Sequence, residues 1–225
     1  MTVDVGLAQG TLLDVVMNFA VDTIRPGQSY IIWSVFLDGW LQKQEVNGSP
    51  WWGVTIGADP QDEDDIVMEV VQVPRQEEKV YLVNAGEDQT QSFMDTHGSA
   101  YPPNVWQGWR LDPVCTRDEI IAGNTSEARS NLWWSIDECT EGVPGGPTFA
   151  ITNTRRRVQL GVDTDHYVWA YDTHDGEEPE FKCQWAFVPR NNVQGLCRAF
   201  AERFATELFD STMDAMELAM EARLL

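Results

Sequence analysis

The sequence predicts a mainly β protein: an antiparallel β-sandwich or barrel, a jelly-roll-like arrangement being one topology it admits, with a long C-terminal α-helix and an N-terminal helix. Three observations carry this. Short β-branched and aromatic runs recur between residues 29 and 188, separated by Gly, Pro, Asn and Asp turn signals. From Gln194 onward those signals fade and helical spacing takes over. A chain of 225 residues is long enough for one domain with an appendage, burying roughly 70% of its unfolded surface. The organisation expected is therefore a β-rich domain over residues 1–193, with an irregular insertion at about 84–130, and an amphipathic helix over 194–225.

Taken in order, residues 11–24 place Leu12, Val16, Phe19, Ala20 and Ile24 at helical spacing, and Thr11 with Asp14 resembles a capping box. The Val content of this stretch pulls toward a buried strand instead. Arg25-Pro26-Gly27 ends it as a turn. Residues 29–37, SYIIWSVFL, lack clean alternation and predict a strand covered on both faces. Further strand-like runs are Trp51–Ile56, Ile66–Val73, Lys79–Val83, Asn131–Ile136, Thr148–Asn153, Arg157–Val162, His166–Tyr171 and Phe181–Val188. Residues 84–130, with Pro102-Pro103 and a polar stretch, predict a long functional or interfacial loop. No internal repeat is evident.

In the final segment Leu196, Phe200, Phe204 and Leu208 form one helical ridge. Further on, Phe209, Met213, Met216 and Met220 follow a 4-3-4 spacing, a heptad-like seam of adaptable side chains suited to a neighbouring subunit. Trp51-Trp52 and Trp133-Trp134 are adjacent pairs, so on a strand one member of each enters the core and the other faces outward. Trp106 and Trp109 sit in the irregular section. Exposed Trp marks a protein interface or an aromatic platform for sugars, and interface is the expectation for Trp106 and Trp109.

Charge narrows the functional classes. The chain carries 19 Asp and 17 Glu against 12 Arg and three Lys, a net charge of −21. It has little from which to build a cationic face for nucleic acid or anionic membranes. With 43% apolar residues and 10 Trp it is not a disordered acidic chain. Acids in excess with few Lys predict a high-salt or marine source, where molar salt screens the self-repulsion. The opening residues lack a signal-peptide pattern and no run reaches the ~20 apolar residues of a membrane span. The location expected is the virion, if viral, and otherwise the cytoplasm. Cys115, Cys139, Cys183 and Cys197 are too widely spaced for a metal knuckle and are expected as free thiols.

Chemistry-bearing motifs are sparse. The densest set of metal-ligand types is Asp163, Asp165, His166, Asp172, His174 and Asp175, suited to a divalent cation. A solvated acidic hairpin tip explains the same residues, and no cofactor is expected. No nucleophile elbow, phosphate loop or dinucleotide fingerprint is present. The first functional reading is thus a non-enzymatic assembly protein, a capsid or tail subunit held to homo- or hetero-oligomeric partners by apolar contacts. The alternative is a carbohydrate-binding or hydrolytic β-sandwich module using Trp and carboxylates. A further alternative is an acidic inhibitor or immunity protein.

Overall fold

Antiparallel strands follow one another along the chain in three groups of four. The computed structural model describes residues 11–46, 49–56, 66–84, 92–97, 104–108, 132–141, 143, 145–172 and 179–206. The first group is β1 (Gln28–Ser34), β2 (Gly39–Val46), β3 (Ser49–Ile56) and β4 (Val67–Gln72). The second is β5 (Val80–Asn84), β6 (Ser92–His97), β7 (Asn104–Gly108) and β8 (Trp134–Glu138). The third is β9 (Phe149–Asn153), β10 (Val158–Val162), β11 (Val168–Asp172) and β12 (Gln184–Pro189). The outer two strands of each group enter a six-stranded barrel that closes in the order β1, β4, β5, β8, β9, β12. The inner two form a hairpin, and the three hairpins pair with one another across one end. Of the forms the sequence admits, the structure is thus a barrel.

The registers obey a three-fold rule. Tyr30 pairs with Met68, Val80 with Trp134 and Phe149 with Trp185. One step around, Val70 pairs with Leu82, Ile136 with Ile151 and Phe187 with Ile32. All twelve residues belong to the core cluster that fills the barrel or pack against it. The repeat is invisible in the sequence because equivalent positions share hydrophobicity rather than identity. Trp134 donates its indole N–H to the Met94 carbonyl at 3.0 Å, and Trp185 donates to the Leu160 carbonyl at 2.9 Å, the equivalent bond one group later. The first strand of each group ends in a buried polar residue: Ser34, Asn84 or Asn153. Ser34 Oγ accepts the Leu37 N–H, and Asn153 Oδ1 accepts the Arg156 N–H, so in each turn the buried side chain satisfies a backbone donor. Asn84 donates to the Val67 carbonyl.

The outer face of the barrel at β1 and β12 is also covered. Ile31, Trp33 and Val35 face outward from β1, Ala186 and Val188 from β12, and they pack under helix α1 (Thr11–Met17) and helix α2 (residues 193–206). This second layer is why β1 reads as apolar on both faces. Phe200 of α2 lies 5.7 Å from the Trp33 ring and 6.1 Å from Trp40, and those two indoles meet edge to face at 4.5 Å. The predicted N-terminal helix is real but stops at Met17. Beyond it Val21 donates its N–H to Phe187 on β12, so the β-branched stretch runs along the barrel instead. In α2, Leu196 and Phe200 are buried while Phe204 on the same ridge is 44% exposed. The helix therefore begins packed on its own barrel and loses that cover one turn after Phe200.

Three strands went unread in the sequence. β2 is polar along half its length, and β6 and β7 lie within the stretch expected to be an irregular insertion. Of the paired tryptophans, Trp52 and Trp134 are fully buried. Trp133 is half-buried, with the Lys79 ammonium 4.9 Å above its ring. Cys139 and Cys183 are buried and Cys197 is half-buried, while Cys115 lies outside the described residues.

One ionisable group is caught beneath the helices. Asp38 sits in the β1–β2 turn with φ of 55° and accepts the Trp33 indole N–H at 3.2 Å. Burial, with Asp14 of α1 adding repulsion, raises its pKa to about 6, against the pull of the Trp33 bond, the Leu12 backbone and Arg203. The folded state thus holds this proton more tightly than the unfolded chain. Its contribution is complete below pH ~4 and is lost as pH rises to ~6. For a half-exposed carboxyl the screened effect is about 1–2 kcal/mol. Asp38→Asn, measured by urea unfolding, should gain stability relative to the parent between pH 4 and 6 and hold that gain to pH 8. A difference flat across this range would show that Asp38 is not the group responsible. A second expectation follows from the −21 charge. The thermal midpoint should climb as NaCl rises from 0.05 to 1 M, where the screening length falls to about 3 Å.

Candidate functional site

The β10–β11 hairpin gathers the polar and aromatic groups best placed to meet a ligand. Its turn is tied by Asp163, whose carboxylate accepts the Thr164 N–H at 2.7 Å and whose carbonyl accepts the His166 N–H at 2.9 Å. His166 takes the left-handed conformation there, with φ of 67°. The next carboxylate, Asp165, accepts the Tyr167 N–H at 3.0 Å and the Trp169 indole N–H at 3.2 Å from both oxygens.

Beyond the turn the chain alternates. Val168 and Ala170 enter the barrel core, while Tyr167, Trp169 and Tyr171 lie half-exposed on the opposite face. Tyr167 and Trp169 meet edge to face at 6.5 Å. Tyr171 lies over Gly161, where a Cβ would come within 2.6 Å of its ring and 2.7 Å of Cys183 Sγ. The Lys182 ammonium sits 4.0 Å above the Tyr171 ring and 2.9 Å from Glu180. Burial and then the charge of Asp163 push the Tyr171 hydroxyl above the usual phenol range, so it stays neutral. Burial likewise pushes the Cys183 thiol up to about 12, which removes it as a nucleophile at neutral pH.

These groups form a rigid aromatic stripe edged by carboxylates. An indole whose N–H is tied down in the plane of the ring presents its face in one orientation. The carboxylates offer acceptors for hydroxyls laid against that face. Such a surface is suited to amphipathic ring compounds.

Of the metal-type residues singled out in the sequence, Asp163, Asp165 and His166 share this turn and Asp172 ends β11, exposed. His174 and Asp175 lie outside the described residues. Among the described residues no three His, Cys, Asp or Glu side chains come together to hold a metal ion. Asp163 and Asp165 instead serve the turn and the indole. Trp106 lies on β7, while Trp109, Phe209, Met213, Met216 and Met220 fall outside the described residues. Tyr167, Trp169, Tyr171 and Lys182 were not anticipated as site residues, although the alternation Tyr-Val-Trp-Ala-Tyr marks an aromatic face. A shallow cleft of about 430 Å³ elsewhere is lined by Asp22, Glu138, Cys139, Thr140, Val143, Gly146 and Pro147, and it is open to solvent.

Six barrel strands, three capping hairpins and cyclically equivalent registers decide the architecture. The fold is a β-trefoil. Solved structures agree. The Rhizoctonia solani agglutinin is 13% identical, with a TM-score of 0.51, over 76% of this chain and 100% of that one. A Polyporus squamosus lectin, solved bound to the human-type influenza-binding epitope Neu5Aca2-6Galb1-4GlcNAc, is 16% identical with a TM-score of 0.51. That match covers 73% of this chain and 50% of the lectin, so the trefoil corresponds to half of that protein. At these identities the likeness shows the fold. No protein-family model and no curated protein matches the sequence. Among the described residues no helix is long and apolar enough to cross a membrane.

Proposed function

We propose that this β-trefoil is a carbohydrate-binding module whose platform is Tyr167 and Trp169, with Asp165 as polar anchor. The observation that carries the reading is the Trp169 indole, held at 3.2 Å by both oxygens of Asp165 on a half-exposed hairpin face. A sugar ring presents C–H groups on one face and hydroxyls at its edge. A fixed indole with an adjacent carboxylate matches both. Two trefoils of the same fold, an agglutinin and a lectin, support the choice. They lend no support to a capsid or tail subunit, the reading ranked first from sequence alone. The Met-lined seam that motivated that reading lies outside the described residues.

A glycan array followed by titration of intrinsic Trp fluorescence tests the proposal. Binding should appear at micromolar to millimolar affinity, and Trp169→Ala should weaken it at least tenfold while the thermal midpoint stays within a few degrees. Asp165→Asn should give a smaller loss, because the amide keeps one acceptor for the indole N–H. A protein that binds no glycan, or a Trp169→Ala variant with parental affinity, would overturn the reading.

A further inference from the structure

Two residues beyond Trp169 the aromatic face of β11 changes character. Gly161 pairs with Trp169 across the hairpin, and the Tyr171 ring lies over the space that a side chain at Gly161 would fill. That notch brings the ring to about one strand spacing, ~5 Å, from the Trp169 backbone. There the ring is covered. The Lys182 ammonium stands 4.0 Å above it and 2.9 Å from Glu180 Oε2. The ammonium is thus on the order of 10 Å from the Trp169 backbone, a reach that the second ring of a bound sugar spans.

The turn that carries this ion pair is pinned by several contacts. Phe181–Cys183 form a single 3-10 turn, closed by the Cys183 N–H donating to the Glu180 carbonyl at 2.7 Å. Buried Gln184 donates its side-chain amide to the Pro179 carbonyl at 3.3 Å. Phe181 meets Phe36 of the β1–β2 turn edge to face at 6.2 Å, and Cys183 is buried beside Gly161. The two charged groups nevertheless reach solvent, the Lys182 side chain being 27% exposed and that of Glu180 73%. An ammonium has three N–H donors and a carboxylate two acceptor oxygens, so the pair keeps donor and acceptor capacity for a ligand. The pair is itself neutral, while the negative charges of Asp163 and Asp165 also bear on the Tyr171 hydroxyl. An anionic ligand would meet those carboxylates; a neutral polyol meets a fixed donor beside a fixed acceptor.

From this geometry we infer that Lys182 and Glu180 form a second subsite beside the Trp169 platform, one that reads a pair of vicinal hydroxyls on a neutral disaccharide. The inference rests on the carbohydrate-binding reading. The first ring stacks on Trp169 and the next reaches the ion pair. One hydroxyl of that ring accepts from the Lys182 ammonium, and its neighbour donates to the Glu180 carboxylate. The platform thus supplies stacking and the ion pair supplies selectivity, because a ring that lacks either hydroxyl forfeits a charge-assisted hydrogen bond.

Calorimetric titration with lactose, cellobiose, maltose and diacetylchitobiose, each beside the methyl glycoside of its non-reducing sugar, tests it. The best-bound disaccharide should exceed its monosaccharide by about tenfold, the contribution of a hydrogen bond to a charged group. Lys182→Met, which keeps an apolar stem over Tyr171, and Glu180→Ala should each remove most of that gain. Both should leave monosaccharide affinity within about twofold and the thermal midpoint within a few degrees. Lys182→Arg should restore part of the gain, and Trp169→Ala should weaken both ligands. At least one single-deoxy analogue of the best disaccharide should lose the gain; its retention by every such analogue overturns the assignment to a hydroxyl pair. A disaccharide no tighter than its monosaccharide, or a gain that survives Lys182→Met and Glu180→Ala, overturns the subsite while leaving the Trp169 platform standing. Monosaccharide binding unchanged in Trp169→Ala, or no binding of any of these sugars by the parent, removes the platform and the subsite together.

Discussion

Truncating Trp185 to alanine should lower the unfolding free energy by about 3–5 kcal/mol, the range for losing a fully buried aromatic from a packed core. The residue is completely buried and pairs with Phe149 at a barrel seam. Its indole also ties two layers together, since Trp185 belongs to the barrel and the Leu160 carbonyl it satisfies belongs to the capping hairpin. The variant therefore loses volume and leaves a buried carbonyl without its donor. Trp185→Phe separates the two contributions: it keeps most of the apolar volume and removes the N–H, and should cost about 1–3 kcal/mol. For a chain of this size, 3–5 kcal/mol corresponds to a fall in thermal midpoint of roughly 6–20 °C. Trp134 makes the equivalent bond to Met94 and should behave alike, whereas Met68, at the same position of the first group, has no N–H to lose. Urea unfolding with an unchanged slope gives the numbers. A loss below 1.5 kcal/mol for Trp185→Ala would mean the barrel and its cap are not coupled through this bond.

That coupling bears on the site. β11 supplies Val168 and Ala170 to the core with one face, and Tyr167, Trp169 and Tyr171 to the surface with the other. The stripe is therefore only as rigid as the hairpin's seat on the barrel, which includes the Trp185 bond to β10. Gly161, opposite Trp169 across the hairpin, has its own part in this: the Tyr171 ring and Cys183 fill the space a side chain would take. For the proposed binding face, pre-organised rings are the expected source of affinity.

Nine of the twelve described strands, the six of the barrel with β3, β10 and β11, are legible from local composition because they are rich in Val, Ile and aromatic residues. β1 is the clearest case, its outward Ile31 and Trp33 lying under helices that the sequence also announces. The cap strands are harder. β2, with Gln42, Lys43, Gln44 and Glu45 in succession, buries Leu41 and Trp40 but otherwise resembles a surface loop. β6 and β7 are short and lie beside Pro102-Pro103. Closure into a barrel is a matter of which strands pair at long range, and local periodicity does not encode it. The same gap hid the site. Asp163 and Asp165 stand out as metal-type residues, but the tie of Asp165 to Trp169 depends on hairpin geometry that puts a turn carboxylate beside an indole four residues on. Met213, Met216 and Met220 point the sequence toward assembly, while the alternating aromatics of β11 signal a strand as readily as a binding face.

Gly39→Ala is the second substitution expected to have a large effect, about 2–3 kcal/mol, at the upper end of what overpacking costs. Gly39 opens β2, pairing with Ser34 on one side and Ile56 on the other. A Cβ there would fall 2.5 Å from the Thr55 carbonyl oxygen, 2.9 Å from its carbon and 2.9 Å from Val54 Cγ1. Two of these three atoms are backbone in the partner strand, so relief requires the β2–β3 hairpin to move rather than a side chain to turn. Two other glycines calibrate the expectation. At Gly27 a Cβ meets open space and the cost is that of a non-glycine residue at φ of 82°, about 1 kcal/mol. At Gly161 the obstacles are the Tyr171 ring and Cys183 Sγ, side-chain atoms that can shift. Gly161→Ala should thus unfold more easily than Gly27→Ala yet less easily than Gly39→Ala, and it alone should disturb glycan binding by displacing Tyr171. Equal losses at Gly39 and Gly27 would show that the approach of β2 to the Thr55 backbone does not limit this end of the cap.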